Sequence, residues 1–124
     1  MKTLLVVDDE YGIVEVLRLL LADEGYRVLT ASDGEQALEL MREQAPDAVI
    51  TDQMMPLMSG AELFRAMRTA PALRKVPVVL ISSAPRLTAS TDLPWALSLQ
   101  KPFDFEILKS WLHRHFGVAA RARR

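Results

Sequence analysis

The stretch LLVVDDE at residues 4–10 decides the fold. Four consecutive apolar residues are typical of a strand that is buried on both faces, and the three acids that follow end it abruptly. Short apolar runs recur at Ala48–Thr51 and Pro77–Ile81, and longer segments with helical periodicity separate them. This alternation of strands and helices predicts a parallel sheet with helices packed on both faces.

The remaining elements continue the alternation. Arg27–Ala31 and Leu97–Gln100 are the other two predicted strands, and Ser59 with Glu62 fits a capping box at the start of the third helix. Apolar residues at helical spacing mark the first helix: Ile13, Val14, Val16, Leu17, Leu20 and Leu21. Five strands in such units predict an α/β fold of the flavodoxin-like type, a doubly wound parallel sheet with strand order 2-1-3-4-5.

The segment between the fourth and fifth predicted strands departs from this regularity. It contains Pro85 and Pro94 and few strong helix formers. A proline inside a helix removes a hydrogen bond and clashes with the preceding turn. We therefore expect a short or distorted fourth helix there.

Composition and charge exclude several classes of protein. Half of the 124 residues are apolar, a quarter are charged and none is cysteine, which is typical of one globular domain without disulfides or thiolate metal sites. The net charge of −1 leaves no general basic field for nucleic acid. No stretch has the length and apolarity of a signal peptide or a membrane span, so we expect a cytoplasmic protein that does not contact membranes.

The last residues differ in charge from the rest of the chain. We divide the sequence into a domain at residues 1–117 and a basic tail at residues 118–124, which contains Arg121, Arg123 and Arg124. A frayed, solubilising end is the favoured interpretation of the tail, and a contact with a partner or with nucleic acid is the alternative.

Polar side chains end four of the five predicted strands. Asp8 and Asp9 follow the first strand, Asp52 the third, Ser82 the fourth and Lys101 the fifth. The carboxyl ends of parallel strands meet at one edge of the sheet, so we expect these side chains to lie together. Taken singly, each has an ordinary explanation as a helix cap, a turn residue or a surface lysine.

The combination of residue types points to phosphoryl chemistry. Three carboxylates at neighbouring strand ends repel one another and need a counter-ion, and a hard divalent cation such as Mg²⁺ or Mn²⁺ prefers such oxygen ligands. Lys101 supplies a point charge for a phosphoryl oxygen, and Ser82 supplies a hydroxyl donor. The set therefore predicts a phosphoryl-transfer site with an aspartate as candidate nucleophile.

In this order and spacing, the motifs resemble the receiver domain of two-component response regulators. The resemblance extends from about Thr3 to Phe116. The matching stretches are Leu5–Glu10, Asp47–Pro56 with Gly60, Pro77–Ser82 and Lys101–Phe103. The resemblance implies that a sensor histidine kinase or a histidine phosphotransfer protein donates a phosphoryl group to Asp52.

The resemblance also implies roles for the neighbouring residues. The implied metal ligands are Asp8, Asp9, Asp52 and the backbone carbonyl of Met54. Ser82 and Lys101 are implied contacts of the phosphoryl group, and the bond between Lys101 and Pro102 is a candidate cis peptide. Met54 and Ala84 occupy the positions that influence hydrolysis in the family, and neither can orient a water molecule, which implies slow autodephosphorylation.

One departure from the family concerns the output of the signal. The family commonly has an aromatic switch residue three positions before the site lysine, and this chain has Ser98 there. Trp95, three residues earlier still, is the alternative candidate for that role.

Two functions from different classes remain open at this point. The leading hypothesis is a phosphorylation switch with no output domain in this chain, which is not a turnover enzyme and signals by contact with an unidentified downstream protein. The alternative is a phosphorylation-independent adaptor of the same fold, which the absent aromatic residue favours. A flavin site is disfavoured because the acids after the first strand would repel the cofactor's phosphate.

Overall fold

The computed structural model describes residues 1–83 and 93–117. In chain order, the described elements are β1 (Thr3–Val7), α1 (Tyr11–Asp23), β2 (Arg27–Ala31), α2 (Gly34–Glu43), β3 (Ala48–Asp52), α3 (Gly60–Thr69), β4 (Val78–Ser82), β5 (Leu97–Gln100) and α4 (Phe105–Phe116). Each strand boundary matches the sequence-based prediction or differs from it by one residue. The short helix predicted between the fourth and fifth strands would fall largely within residues 84–92, and it lies outside the described residues, as does the tail at residues 118–124.

The five strands form one parallel sheet in the order β2-β1-β3-β4-β5. This confirms the predicted flavodoxin-like topology. In the register of the sheet, Val7 of β1 pairs with Thr51 of β3, and Asp52 pairs with Ile81 of β4. The carboxyl ends of the central strands are therefore level with one another, and the residues that follow them share one rim.

The apolar core has two layers, one on each face of the sheet. Leu4 and Val6 of β1 pack beneath α1 and α4, whereas Leu5 and Val7 pack beneath α2 and α3. Successive side chains of a strand point to opposite faces, so a strand that is covered on both sides must be apolar throughout. This explains why β1, β3 and β4 lack the alternation of a half-exposed strand.

Local hydrogen bonds define where the helices begin. Ser59 and Glu62 form the predicted capping box at α3, and Asp33 caps α2 with its side chain. The N-cap position of α1 is Glu10, whose side chain makes no capping hydrogen bond. The acids after β1 therefore do not serve as a side-chain cap of α1.

The apolar side chains of α1 extend beyond the face that packs against the sheet. Val14, Leu17 and Leu21 are buried against the sheet, as expected of one helix face. Val16 and Leu20, which belong to the same apolar pattern in the sequence, are 56% and 39% exposed. The sheet covers only one face of α1. The apolar residues at helical spacing therefore predicted the helix correctly but did not show which of them are buried.

Within residues 1–83 and 93–117, no helix has the length and apolar character needed to cross a bilayer.

Candidate functional site

The carboxyl ends of β1, β3 and β5 bring Asp8, Asp52 and Lys101 into direct contact. The Lys101 ammonium lies 3.0 Å from Oδ1 of Asp52 and 3.2 Å from Oδ2 of Asp8. Both aspartate side chains are almost fully buried, and Lys101 is 15% exposed. Topology therefore brings together three residues that the sequence places far apart, as the sheet rule predicted.

Glu10 is a further member of this cluster. Its Oε1 lies 3.2 Å from the Lys101 ammonium, and its side chain is 62% exposed. In the sequence, Glu10 is only the last residue of the matching stretch Leu5–Glu10, with no role of its own. The two residues are 91 positions apart, so no local pattern could have identified this ion pair.

The acids at the rim are arranged as a metal site requires. Asp8, Asp9 and Asp52 each offer one carboxylate oxygen, and these three oxygens lie within 4.8 Å of one another. Carboxylate oxygens are the ligands that Mg²⁺ and Mn²⁺ prefer. Asp9 is exposed, so the cluster is open to solvent on one side. The donor set and its spacing fit a divalent cation.

The electrostatics of the cluster favour an added positive charge. Burial raises the pKa of Asp52, and the hydrogen bond from Lys101 offsets only part of that effect. Burial also raises the pKa of Asp8, against the opposing influence of the Glu10 backbone N–H and of Lys101. Burial alone would lower the pKa of Lys101, but its hydrogen bond to Asp52 and its other acidic contacts raise it. The lysine stays charged, and one lysine does not neutralise the acids.

Replacement of Asp52 by asparagine is expected to stabilise the metal-free protein at neutral pH. Folding raises the pKa of Asp52 above 3.8, so its contribution to stability is fully present below pH 3.8 and is lost as the pH rises through the raised value. At pH 7 the free energy of unfolding of Asp52→Asn protein should therefore exceed that of wild type. Denaturant titrations in EDTA, repeated from pH 7 down to pH 4, measure the difference.

Asp23→Asn is the matched control for that series. Asp23 is an exposed aspartate that makes no ion pair among the described residues. Its replacement should raise stability by no more than about 0.5 kcal/mol, the effect of removing an acid from the C-terminal end of α1. The prediction is contradicted if the advantage of Asp52→Asn does not shrink as the pH falls, or if Asp23→Asn gives the same advantage.

Ser82 and Lys101 lie beside each other at the ends of β4 and β5. The backbone N–H of Lys101 donates to the carbonyl of Ser82 at 2.8 Å. Ser82 is buried at the rim. The peptide bond between Lys101 and Pro102 is cis, as predicted. The structure thus places Ser82 at the end of β4, directly beside the residue whose ammonium contacts the acid cluster.

The three methionines after β3 differ in their surroundings. Met55 and Met58 pack against the core beneath α2 and α3. The Met54 side chain is 65% exposed. The role that the resemblance implies for Met54 belongs to its backbone carbonyl and stays a prediction.

The structure separates the two candidates for the aromatic switch position. Ser98 lies in β5 and is exposed. The Trp95 ring packs edge-on against Phe64 of α3, with 4.8 Å between ring centroids. The Arg68 guanidinium lies over Phe64, 4.3 Å from its centroid. The tryptophan that precedes β5 is thus held against α3.

Two comparisons with known sequences point to the same protein family. The sequence profile of the response regulator receiver domain matches residues 4–113. The DNA-binding response regulator MtrA of Mycobacterium tuberculosis is 36% identical over 123 residues, which are 98% of this chain and 50% of MtrA. The chain therefore spans about half the length of the curated relatives that it matches.

Solved structures agree with the sequence comparison. The receiver domain of the sensor histidine kinase PA1611 from Pseudomonas aeruginosa is 28% identical with a TM-score of 0.84, and the similarity covers 94% of this chain and 98% of that one. That structure has a magnesium ion coordinated in the active site cleft. TrrA from Thermotoga maritima, solved in complex with Mg²⁺–BeF, is 32% identical with a TM-score of 0.81, covering 92% of this chain and 98% of TrrA.

Proposed function

Because the chain belongs to the receiver domain family of response regulators, we propose that it is a phosphorylation switch in which Asp52 accepts the phosphoryl group. The observation that carries this proposal is the contact of the enclosed Asp52 carboxylate with Lys101 at 3.0 Å, beside Asp8. A carboxylate nucleophile with a fixed cation at its side suits phosphoryl transfer, which depends mainly on positioning and charge stabilisation.

The proposed reaction transfers a phosphoryl group from a phosphohistidine. A carboxylate oxygen of Asp52 attacks the phosphorus, a P–O bond forms, and the P–N bond of the donor breaks with its electron pair returning to the imidazole. Lys101 and the Ser82 hydroxyl would contact the non-bridging phosphoryl oxygens. The product is an aspartyl phosphate.

A divalent cation, Mg²⁺ or Mn²⁺, is part of the proposal. Its ligands would be carboxylates of Asp8, Asp9 and Asp52 together with the Met54 carbonyl. When bound, it would supply the positive charge that the acid cluster lacks and that the phosphoryl oxygens need. The magnesium in the PA1611 and TrrA structures and the 4.8 Å spacing of the three carboxylate oxygens support this assignment.

The proposed donor is a sensor histidine kinase or a histidine phosphotransfer protein, and the proposed output is contact with a downstream protein. Slow autodephosphorylation stays a prediction from Met54 and from Ala84, which lies outside the described residues. MtrA is a DNA-binding regulator, but only about half of its length aligns here. Our expectation that residues 1–124 do not themselves bind nucleic acid stays a prediction, as does a cytoplasmic location.

The second candidate is a phosphorylation-independent adaptor of the same fold. Ser98, where the family commonly has an aromatic residue, favours it. The two functions differ in their dependence on Asp52. Equal binding of a downstream protein by wild type and Asp52→Asn under phosphorylating conditions would favour the adaptor.

Intact mass after incubation with acetyl phosphate and Mg²⁺ tests the proposed function. We expect one added phosphoryl group on the wild-type protein. Asp52→Asn protein and wild type in EDTA should show no adduct, because each lacks a component of the site. An unmodified wild-type protein, shown to be folded, would contradict the proposal once a phosphorylated histidine phosphotransfer protein also failed as donor.

A further inference from the structure

We infer that Gln53 is a positioning residue, which fastens the backbone at Asp52 and Met54 to the start of α3 and to β4. The inference rests on the proposed function, because these two residues flank Gln53 and are the proposed acceptor and a proposed metal ligand. In the sequence, Gln53 is only an unassigned member of the matching stretch Asp47–Pro56.

The backbone N–H, the backbone carbonyl and the side-chain oxygen of Gln53 each form a hydrogen bond with β4 or α3. Its backbone N–H donates to the carbonyl of Ile81 in β4 at 3.1 Å. Its carbonyl accepts from the Gly60 N–H at 3.0 Å, and its side-chain Oε1 accepts from the Ala61 N–H at 2.9 Å. One residue therefore joins the end of β3 to a neighbouring strand on one side and to a helix on the other.

The bonds to α3 satisfy donors that a helix leaves open. The first backbone N–H groups of a helix have no partner within it, and α3 supplies two of them, from Gly60 and Ala61, to Gln53. The capping box at Ser59 serves a different N–H, that of Glu62. Gln53 thus accepts hydrogen bonds from two N–H groups of α3 that the Ser59 side chain does not reach.

The contact between α3 and the end of β3 is also close-packed. A Cβ added at Gly60 would lie 2.5 Å from the backbone oxygen of Asp52. That same oxygen accepts a hydrogen bond from Thr51 Oγ1 at 2.9 Å. The peptide group of Asp52, the proposed phosphoryl acceptor, is therefore enclosed by β3 and by the first turn of α3. The Gln53 side chain adds its hydrogen bond to Ala61 at the same place.

This arrangement has a consequence for metal binding. A metal ligand binds tightly when hydrogen bonds one step removed from the ion hold it in place. Loss of the Gln53 side-chain bond would free the backbone between Asp52 and Met54 without removing any proposed ligand. Binding of a divalent cation should then weaken while the acid cluster keeps its composition.

The test measures binding of Mn²⁺ alone, from the electron paramagnetic resonance signal of the free ion. Gln53→Met keeps the length of the side chain and removes its acceptor, and we expect it to weaken Mn²⁺ binding about tenfold. Gln53→Glu retains an acceptor for the Ala61 N–H and should bind no more weakly than wild type. Ser59→Ala removes the other side-chain cap of α3 and should leave Mn²⁺ affinity unchanged.

Denaturant titrations of the same proteins separate positioning from folding. Gln53→Met and Ser59→Ala should lose comparable stability, because each leaves one helix N–H without its side-chain acceptor. Equal Mn²⁺ affinities for these two variants would overturn the inference, and so would a wild-type protein that binds no Mn²⁺. Wild-type protein that binds Mn²⁺ but takes up no phosphoryl group, either from acetyl phosphate or from a phosphorylated histidine phosphotransfer protein, would contradict the proposed function. The affinities would still decide the role of Gln53 in metal binding.

Discussion

Lys101→Met protein is expected to react with acetyl phosphate about 100-fold more slowly than wild type, the usual effect of removing one fixed donor from a site where negative charge develops. The substitution removes the ammonium that lies 3.0 Å from Asp52 and 3.2 Å from Asp8. It keeps an apolar stem of similar length, so the packing at the rim is preserved. A time course of intact mass at saturating Mg²⁺ measures the rate.

The same substitution should destabilise the metal-free protein at neutral pH. Two nearly buried carboxylates lose their counter-ion, and breaking a buried pair in this way costs about 3 kcal/mol. The loss should shrink as the pH falls and the two acids become protonated, because neutral carboxyl groups do not need the lysine. Added Mg²⁺ should also reduce it.

Lys109→Met is the matched control for both measurements. Lys109 also contacts two acids, Glu24 and Glu106, each at 3.5 Å, but it lies on α4 and is more exposed than Lys101. Its replacement should cost no more than about 1 kcal/mol and leave the rate of phosphorylation unchanged. If Lys101→Met and Lys109→Met behave alike in rate and stability, the role assigned to Lys101 is wrong.

Gly60→Ala should lower the free energy of unfolding by about 3 kcal/mol, at the upper end of the cost of overpacking. The added Cβ would lie 2.5 Å from the Asp52 carbonyl oxygen and 3.1 Å from the Cα of Gln53. Both neighbours are backbone atoms, which cannot turn aside as the end of a flexible side chain does. Relief of the clash requires α3 to move away from the end of β3.

Gly12→Ala provides the control for that substitution. Gly12 also lies in the first turn of a helix, but a Cβ there would meet nothing within 4 Å. Alanine should therefore stabilise α1 by up to about 1 kcal/mol through its helix propensity. Urea titrations of both variants measure the two changes in the free energy of unfolding. A loss at Gly60 of less than about 1 kcal/mol, the average effect of a point substitution, would be inconsistent with the close approach.

Much of the fold was predictable because its signals are local. Leu4–Val7 is apolar throughout since both faces of β1 are covered, and this pattern survives in the sequence without any knowledge of the neighbouring strands. The capping box of Ser59 and Glu62 is equally local, because its partners are three residues apart. The topological rule for parallel sheets then placed Asp8, Asp52 and Lys101 at one rim.

Other features depended on where distant segments come to lie. Periodicity alone does not distinguish Val14 from Val16 in a helix as apolar as α1, and only packing against the sheet showed that Val14 is buried and Val16 exposed. The attachment of Gln53 to Ala61 needed the position of α3 relative to the end of β3. A sequence reports the polarity of a residue, not the distance to a partner supplied by another element.

By itself, the sequence determined the order of strands and helices, the sheet topology and the residue types at the rim, because hydrophobic period, capping and strand-end position are properties of neighbouring residues. Only the tertiary structure decided that Glu10 joins Lys101 and that Gly60 touches the Asp52 peptide. The physical reason is range. Hydrogen bonds, ion pairs and steric contacts act over a few ångströms in space. The number of residues between two positions in the sequence does not tell how far apart they lie in the folded protein.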